Sequence, residues 1–531
     1  MTAQAPGRER EAATYLANQV ANGEVTSRLD LERLKKRAAK QYSLGRYVSN
    51  SEVIAALAPG ARDAFEEMLR VHPRRSASGI VVVAVFSAPY SCPHGTCVFC
   101  PGGPRSGTPQ SYLPESPGMR AALSAGFDPF HQVRKSLSNY EGNGHGTDKV
   151  ETIIEGGTFI ALPADYQASF VKGVYDGLNG VASGTLEEAQ AANEVARNRC
   201  VGLTLESKPD WCRPQDIDLM LSFGITRVEI GVQSLRNATL SRSNRGHTLE
   251  DTLNAFRVAR DAGLKVTAHM MPGLPGATPE EDLEDLRLLF EREDLRPDMM
   301  KLYPTLVVPG TALAKQFKAG FYEPYDLRTI VQLLSEMKRF VPRWHRIMRI
   351  QREIPAGEIL GGVKNGNLRE LVLARVEEKG WKCSCIRCRE VALSEPSAMA
   401  EEDTLAYREE RFAASGGLEV FGSFEYETSG KIAGFVRLRI PSEGAHRPEM
   451  AGSAVVRELR VYGRQVDVGG RSESAWQHRG LGASMMELAE RLSGEEFGAK
   501  RVLVTSAVGT RAYYGKLGYE RLGPYMAKGL G

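Results

Sequence analysis

No stretch of this sequence approaches the ~18 consecutive apolar residues that a membrane-spanning helix needs, and it contains no internal repeat and no low-complexity tract. The N-terminus, MTAQAPGRER, lacks the apolar core of a secretory signal. These absences set the expectation of a cytoplasmic protein with no membrane partner. Cysteine is scarce, at eight residues in 531, and in a reducing compartment clustered cysteines read as metal or redox sites rather than disulfides. A strong charge imbalance is also missing: the net charge of +3 argues neither for nor against nucleic acid. A chain of 531 residues exceeds one ordinary domain, so two or three are expected.

The distribution of charge says more than its sum. From Arg28 to Arg46 seven basic side chains, Lys35, Lys36, Arg37 and Lys40 among them, face two acidic ones on a helical pattern. From Lys338 to Arg352 six basic residues, including Arg343 and Arg346, alternate with Phe340, Trp344 and His345, with no acid between them. Cations with interleaved aromatics suit RNA, whose phosphates attract charge and whose unstacked bases want flat faces. A solvated helix face and a domain linker account for the same residues.

Between residues 79 and 310 apolar runs alternate with amphipathic helical stretches. Six runs, beginning at Gly79, Val150, Val201, Ile225, Lys265 and Met300, end in Gly, Pro, Ser or polar residues. Such runs imply parallel βα units buried on both faces, in an open doubly wound sheet or a barrel, with the chemistry at the C-terminal strand ends. Beyond about residue 315 the rhythm is expected to stop. A cysteine group, WKCSCIRCRE, follows, and from Gly416 three runs read as antiparallel strands before the helix SMMELAERLSGEEFG, the strand KRVLVTSAV and a final helix and strand.

Cys92, Cys97 and Cys100 form C-x4-C-x2-C in CPHGTCVFCPGG, directly after the first strand. Zinc would require a fourth ligand, for which His94 is at hand; a four-iron cluster held by three thiolates leaves one iron open to another ligand. The next strand ends EGGT, where Gly156 and Gly157 expose backbone to a bound amino acid moiety. Together these resemble the radical S-adenosylmethionine enzymes, from whose usual C-x3-C-x2-C spacing the loop departs by one residue. Far downstream, QHRGLGASMMELAE runs from a glycine loop into a helix, an anion-binding arrangement. With the strand VRELRVYG before it and TRAYYGKLGYE after it, this order resembles the GNAT acetyltransferases.

The pairing of both signals, with GGTF, EIGVQS, NRGH, AHMMPGLPG, KLYPTL, NGNLREL and GTRAYYGKLGYE in order, closely resembles the family of Elongator catalytic subunits, the tRNA uridine(34) acetyltransferases. The resemblance implies an α/β fold: a partial parallel (β/α)6-type radical SAM barrel followed by a GNAT α/β domain. Boundaries are expected at 1–75 for a basic tRNA-binding region, 76–315 for the barrel, 316–400 for a linker with a zinc site and 401–531 for the acetyltransferase domain. By position, Cys92, Cys97 and Cys100 would hold a [4Fe-4S] cluster, and Gly156 and Gly157 would lie against S-adenosylmethionine. Lys149 would contact the acetyl end of acetyl-CoA. Glu458, Leu459, Arg460 and Val461, with Gln477, Gly480, Leu481, Gly482 and Ala483, would bind acetyl-CoA, and Tyr514, seconded by Tyr513, would serve the thioester.

The implied reaction takes a hydrogen from the acetyl methyl and joins the carbon to the wobble uridine as 5-carboxymethyluridine. It would use the tRNA anticodon stem-loop and an electron donor, with the chain acting alone or as a homo-oligomer. A protein lysine acetyltransferase with a structural iron–sulfur cluster is the alternative. Cys383, Cys385 and Cys388 read as zinc ligands, with His345 and then Cys212 as candidates for the fourth.

Overall fold

The computed structural model describes residues 6–58, 65, 68–73, 76–393, 403–462 and 480–531. The N-terminal region is helical: α1 (Pro6–Ala21), α2 (Arg28–Gln41) and α3 (Asn50–Ala56). Ser27 and Ser49 cap α2 and α3, and Ser49 forms a capping box with Glu52, so backbone N–H groups at both helix starts are satisfied. Leu16, Val20, Leu31, Leu34 and Val53 close a small core of their own between the three helices.

Seven parallel strands follow: β1 (Val81–Phe86), β2 (Lys149–Glu155), β3 (Arg199–Ser207), β4 (Arg227–Gln233), β5 (Lys265–Met270), β6 (Met299–Leu302) and β7 (Arg346–Arg349). They lie side by side in chain order. β4, in the middle, is buried at every position, as a strand covered on both faces must be. Helices return the chain between strands, among them α4 (Leu249–Asp261) and α5 (Leu327–Met337), whose starts are capped by Thr248 and Asp326. β1 and β7 are the two edges of the sheet, and the sheet is a partial barrel. The parallel unit does not stop near residue 315: α5 and β7 continue it. β7 escapes recognition because its four residues, RIMR, begin and end with arginine and read as part of a basic linker.

The second sheet contains β8 (Leu405–Ala414), β9 (Gly417–Tyr426), β10 (Ile432–Ile440), β11 (Ser453–Val461), β12 (Arg501–Val504), β13 (Glu520–Leu522) and β14 (Tyr525–Gly529), in the order β8-β9-β10-β11-β12-β14-β13. β8 to β11 are antiparallel. β11 and β12 run parallel, paired only from Ser453 to Val456. Helices α6 (Leu481–Arg491) and α7 (Arg511–Lys516) complete this unit.

Buried arginines join the two sheets. Arg457 of β11 reaches Asp298, just before β6, at 2.6 Å, and Arg439 of β10 reaches Asp261 at the end of α4 at 2.6 Å. Arg437 adds Asp298 at 3.6 Å and donates to the carbonyl of Trp344. Fully buried guanidinium groups demand complete pairing, so these contacts define how the second sheet seats beneath the first.

Candidate active site

In the first loop Cys97 and Cys100 are in hydrogen-bond contact, Cys92 stands further off, and the charge of Cys97 is compensated. His94 Nε2 lies 3.2 Å from Cys97 Sγ, and Arg245 Nη1 donates to the same sulfur at 3.3 Å. Hydrogen bonding from Cys100, then Arg245 and His94, brings the Cys97 thiol down to about 3. Burial pushes Cys92 up, and its hydrogen bond to Cys97 together with burial pushes Cys100 up. Arg245 also donates to the carbonyl of Gly231, while Asn244 donates to Thr96 O at 2.8 Å, so the NRGH segment clasps the loop. Arg352 donates to Ser111, whose hydroxyl lies 3.5 Å from Cys100 Sγ. Neither Arg245 nor Arg352 stands out by spacing, because each reaches the loop only through the fold.

Gly156 and Gly157 sit immediately past β2 and beside this loop. Both have positive φ, +137° and +74°. A Cβ on Gly156 would fall 2.2 Å from Ser87 Oγ, and one on Gly157 would fall 3.4 Å from Cys92 Sγ. The donor set is three soft sulfurs with a glycine-lined wall, which fits an iron–sulfur cluster with a small polar ligand against the backbone.

Beneath the loop the barrel interior is charged. Glu229 on β4 pairs with Lys301 on β6 and with His269 on β5 at 2.9 Å. Burial opposes ionisation of Glu229, but Lys301, His269 and Arg227 outweigh it and hold the carboxyl well below its usual range. Glu206 accepts from Tyr112 at 3.0 Å. At the end of β2, burial and then the charge of Glu206 push Glu155 up to about 8. A cavity of about 1500 Å³ runs along this interior, between Val82, Ala84 and Phe86 of β1 and Arg346, Met348 and Arg349 of β7. Its wall extends from Phe86 and Glu155, at the cluster end, to Glu151 and Arg460 at the opposite end.

Lys149 is the first residue of β2, whereas Gly156 follows its last, so the two stand at opposite ends of the strand, roughly 20 Å apart. By the two-residue period Lys149 shares a face with Glu151, which lies 3.5 Å from Arg460. Arg460 belongs to β11, where Glu458, Leu459, Arg460 and Val461 pair with β10 on one side only. Past Val456 the partner strand β12 ends at Val504, and among the described residues no strand pairs with the other edge of β11 there. α6 starts beside it: Gly480 is its N-cap with φ +81° and no side-chain cap, so the amides of Leu481, Gly482 and Ala483 point outward. The Tyr513 hydroxyl would lie 2.7 Å from a Cβ on Gly482, and the tyrosine is 41% exposed. Tyr514 is instead buried among Met485, Tyr519 and Met526. Gln477 lies outside the described residues.

Four family models match in succession: ELP3 N-terminal domain over residues 10–77, Radical SAM superfamily over 179–289, Radical_SAM C-terminal domain over 297–378 and Acetyltransferase (GNAT) family over 387–519. The tRNA uridine(34) acetyltransferase of Methanocaldococcus jannaschii is 42% identical over 96% of this chain and 95% of its own. The human Elongator complex protein 3 is 41% identical over 94% of this chain and 93% of its own. The chain belongs to the Elongator complex protein 3 family. The solved Elongator protein 3 of the archaeon Methanocaldococcus infernus, with an N-terminal deletion, is 41% identical and superimposes with a TM-score of 0.74, covering 85% of this chain and 100% of that one.

The chain brings Cys383, Cys385 and Cys388 together, their sulfurs all within 4.8 Å of one another. Hydrogen bonds from Cys383 and Cys388 push Cys385 below the usual thiol range. His345 is not within 4.8 Å of all three sulfurs; its Nδ1 bonds the carbonyl of Pro297 at 2.8 Å, while its buried Nε2 has no hydrogen-bond partner among the described residues. Nor is Cys212, whose sulfur donates to Lys208 O on the barrel.

The basic segments divide. Lys36, Arg37 and Lys40 are exposed on α2, but Lys35 turns into the helical core, paired with Glu32 and Asn50. Arg346 is buried on β7 against Glu390, and Arg343 pairs with Glu410 and Glu425, so neither is free for an RNA backbone. Trp344 stacks on Phe412 at 4.4 Å rather than facing solvent. The segment from Lys338 to Arg352 is basic because it meets buried acids and the cluster loop. Among the described residues, no helix is long and apolar enough to cross a membrane.

Proposed function

We propose that this chain is a tRNA uridine(34) acetyltransferase that forms 5-carboxymethyluridine from acetyl-CoA by radical SAM chemistry. One observation carries the reading: the cavity of about 1500 Å³ reaches from Phe86 and Glu155, at the strand ends beside the cluster loop, to Arg460 of the GNAT sheet. The cavity therefore connects the strand ends that carry the cluster loop with the GNAT strand of Arg460.

In this reading Cys92, Cys97 and Cys100 hold a [4Fe-4S] cluster, and Gly156 and Gly157 hold the amino acid moiety of S-adenosylmethionine. When bound, these groups supply one-electron chemistry able to abstract hydrogen from an unactivated methyl. Arg245 orients and neutralises Cys97. The edge of Glu458–Val461 pairs with the pantetheine arm, and the amides of Leu481, Gly482 and Ala483 bind the pyrophosphate. Tyr513, with its hydroxyl at that loop, is better placed than Tyr514 to protonate a departing thiolate, and Tyr514 supports it from the core. Lys149 and Arg460 hold the acyl end at the far mouth of the cavity. Lys36, Arg37 and Lys40 engage the tRNA backbone. Cys383, Cys385 and Cys388 hold a structural zinc ion; three convergent thiols are the donor set such an ion selects. An external reductant is required, and the chain works alone or as a homo-oligomer.

Anaerobic reconstitution with iron, sulfide, S-adenosylmethionine, acetyl-CoA and tRNA, followed by mass analysis of the wobble nucleoside, tests the proposal. Carboxymethyluridine is expected. Acetylated protein with unmodified tRNA would instead favour a lysine acetyltransferase.

A further inference from the structure

The cluster loop is itself the skin of the protein: Pro93, Gly95 and Thr96 are exposed, while Cys97 and Cys100 lie just beneath them. Three segments frame it. The hairpin of Gly102–Gly103 and Thr108–Gln110 leans on it through Gln110, which donates to Thr96 Oγ1 at 3.4 Å. Past the helix Asn237–Arg242, Ser243 O accepts from Val98 N–H at 3.2 Å. On the third side the helix Ala312–Lys318 donates from Leu313 N–H to Val98 O at 2.8 Å, and Leu313, Ala314 and Phe317 pack against the loop. Its other face, with Lys315 and Lys318, is exposed.

These surroundings are all of one sign. Overall the chain has 68 Lys and Arg against 65 Asp and Glu, yet residues 91–114, 237–248 and 311–322 contain no acid at all. Arg105 at the hairpin tip, Arg242, Lys315 and Lys318 are exposed, and among the described residues none of them pairs with a carboxylate. Arg46, Arg287, Arg349 and Arg375, on other surfaces, each meet one. Lone unpaired cations are ordinary, but four around one loop set up a positive field. Beside them Phe321 is 86% exposed, an apolar contact within a charged rim, as transient interfaces have.

RNA and an acidic protein are both drawn to such a surface, and position chooses between them. None of these five residues lines the cavity, so they lie on the outer side of the loop. A nucleotide that must enter the cavity gains nothing there, whereas a donor that needs only to come close to the cysteines gains the shortest approach. We propose that this face receives an acidic one-electron carrier protein; this rests on the reading of Cys92, Cys97 and Cys100 as the iron–sulfur site. One electron leaves the carrier, whose own centre is oxidised, and one arrives at the iron, with no bond formed or broken. Charge complementarity selects the carrier and speeds its encounter, and Phe321 supplies the apolar contact.

Binding of an acidic [2Fe–2S] ferredoxin and of an acidic flavodoxin to the full-length protein is measured first, by thermophoresis. Saturable binding that weakens about tenfold or more between ~0.05 and ~0.5 M salt is expected. No binding of either carrier would overturn the proposal and leave the radical reading standing. The double variant Lys315→Glu, Lys318→Glu then reverses the charge of one side, and thermal unfolding confirms that its fold is kept. Deoxyadenosine release driven by the reduced carrier is expected to fall about tenfold or more, while release driven by dithionite, which needs no docking, stays unchanged. Phe321→Ala should lose activity in the same carrier-specific way. Equal loss with both reductants, or no loss with either, would defeat the docking surface. A fall in tRNA affinity with carrier-driven release unchanged would give the patch to RNA instead. Absence of deoxyadenosine from the parent protein with dithionite would overturn the iron–sulfur reading itself.

Discussion

Arg460 of the GNAT sheet lies 3.5 Å from Glu151 of the radical SAM sheet. The contact joins the strand edge that would carry acetyl-CoA to the strand that leads to Gly156 and Gly157. Glu151 is also held by Arg227, so the pair belongs to the charged interior of the barrel.

Removing the arginine is therefore expected to uncouple the two halves of the reaction. Arg460→Ala leaves Glu151 paired with Arg227, so the barrel keeps its charge balance. Deoxyadenosine release from S-adenosylmethionine should persist, while acetyl-CoA-dependent tRNA product falls by about tenfold or more. Chromatography of both products in one reaction measures the split.

Glu151 also makes stability depend on pH. Burial alone would raise its pKa, but Arg227 and then Arg460 bring it from 4.5 to about 2. A carboxyl whose folded value is depressed contributes fully above its unfolded value and loses that contribution as pH falls through the folded one. A contribution on the order of 3 kcal/mol should thus disappear between about pH 4.5 and 2. Urea unfolding across that range is expected to show a shallower pH slope for Glu151→Gln than for the parent protein.

The buried arginines between the sheets are expected to be costly to orphan. Asp298→Ala strips Arg457 of contacts at 2.6 and 2.8 Å and leaves a buried guanidinium under-compensated. A loss of about 3–5 kcal/mol is expected in denaturant unfolding. Breaking a surface pair such as Arg287 and Glu284 should leave the unfolding midpoint almost unchanged.

At the cluster end, Gly156→Ala meets both an unfavourable φ and a Cβ 2.2 Å from Ser87 Oγ. Weakened S-adenosylmethionine binding with retained iron content is expected, measured by equilibrium dialysis and iron analysis. Arg245→Gln should behave oppositely: it removes the donor to Cys97 and is expected to lower iron retention first.

The tyrosine pair separates chemistry from packing. Tyr513→Phe is expected to reduce tRNA-dependent acetyl-CoA hydrolysis about tenfold or more with little change in stability. Tyr514→Ala empties a core position and should cost about 3–5 kcal/mol. Thermal unfolding beside a thiol-release assay distinguishes them.

Much of this was legible in one dimension, because local chemistry carries it. The cysteine triplet, the EGGT strand end and the glycine loop before α6 each occupy a few consecutive residues whose function depends on their own backbone. Six of the seven parallel strands announce themselves by apolar runs bounded by turn residues, and the antiparallel strands from Gly417 onward by theirs.

Where the reading went astray, the cause was charge. A sequence shows that Lys35, Lys338, Arg343 and Arg346 are basic, but not which way they face. Their partners, Glu32, the cysteine sulfurs, Glu425 and Glu390, are brought to them by the fold, and burial of a cation is permitted only once such partners converge. The reactive groups are thus encoded locally. Which sulfur meets Arg245, which amine meets Cys383 and which strand of the second sheet reaches the barrel cavity are long-range juxtapositions, and those exist only after the two sheets have packed.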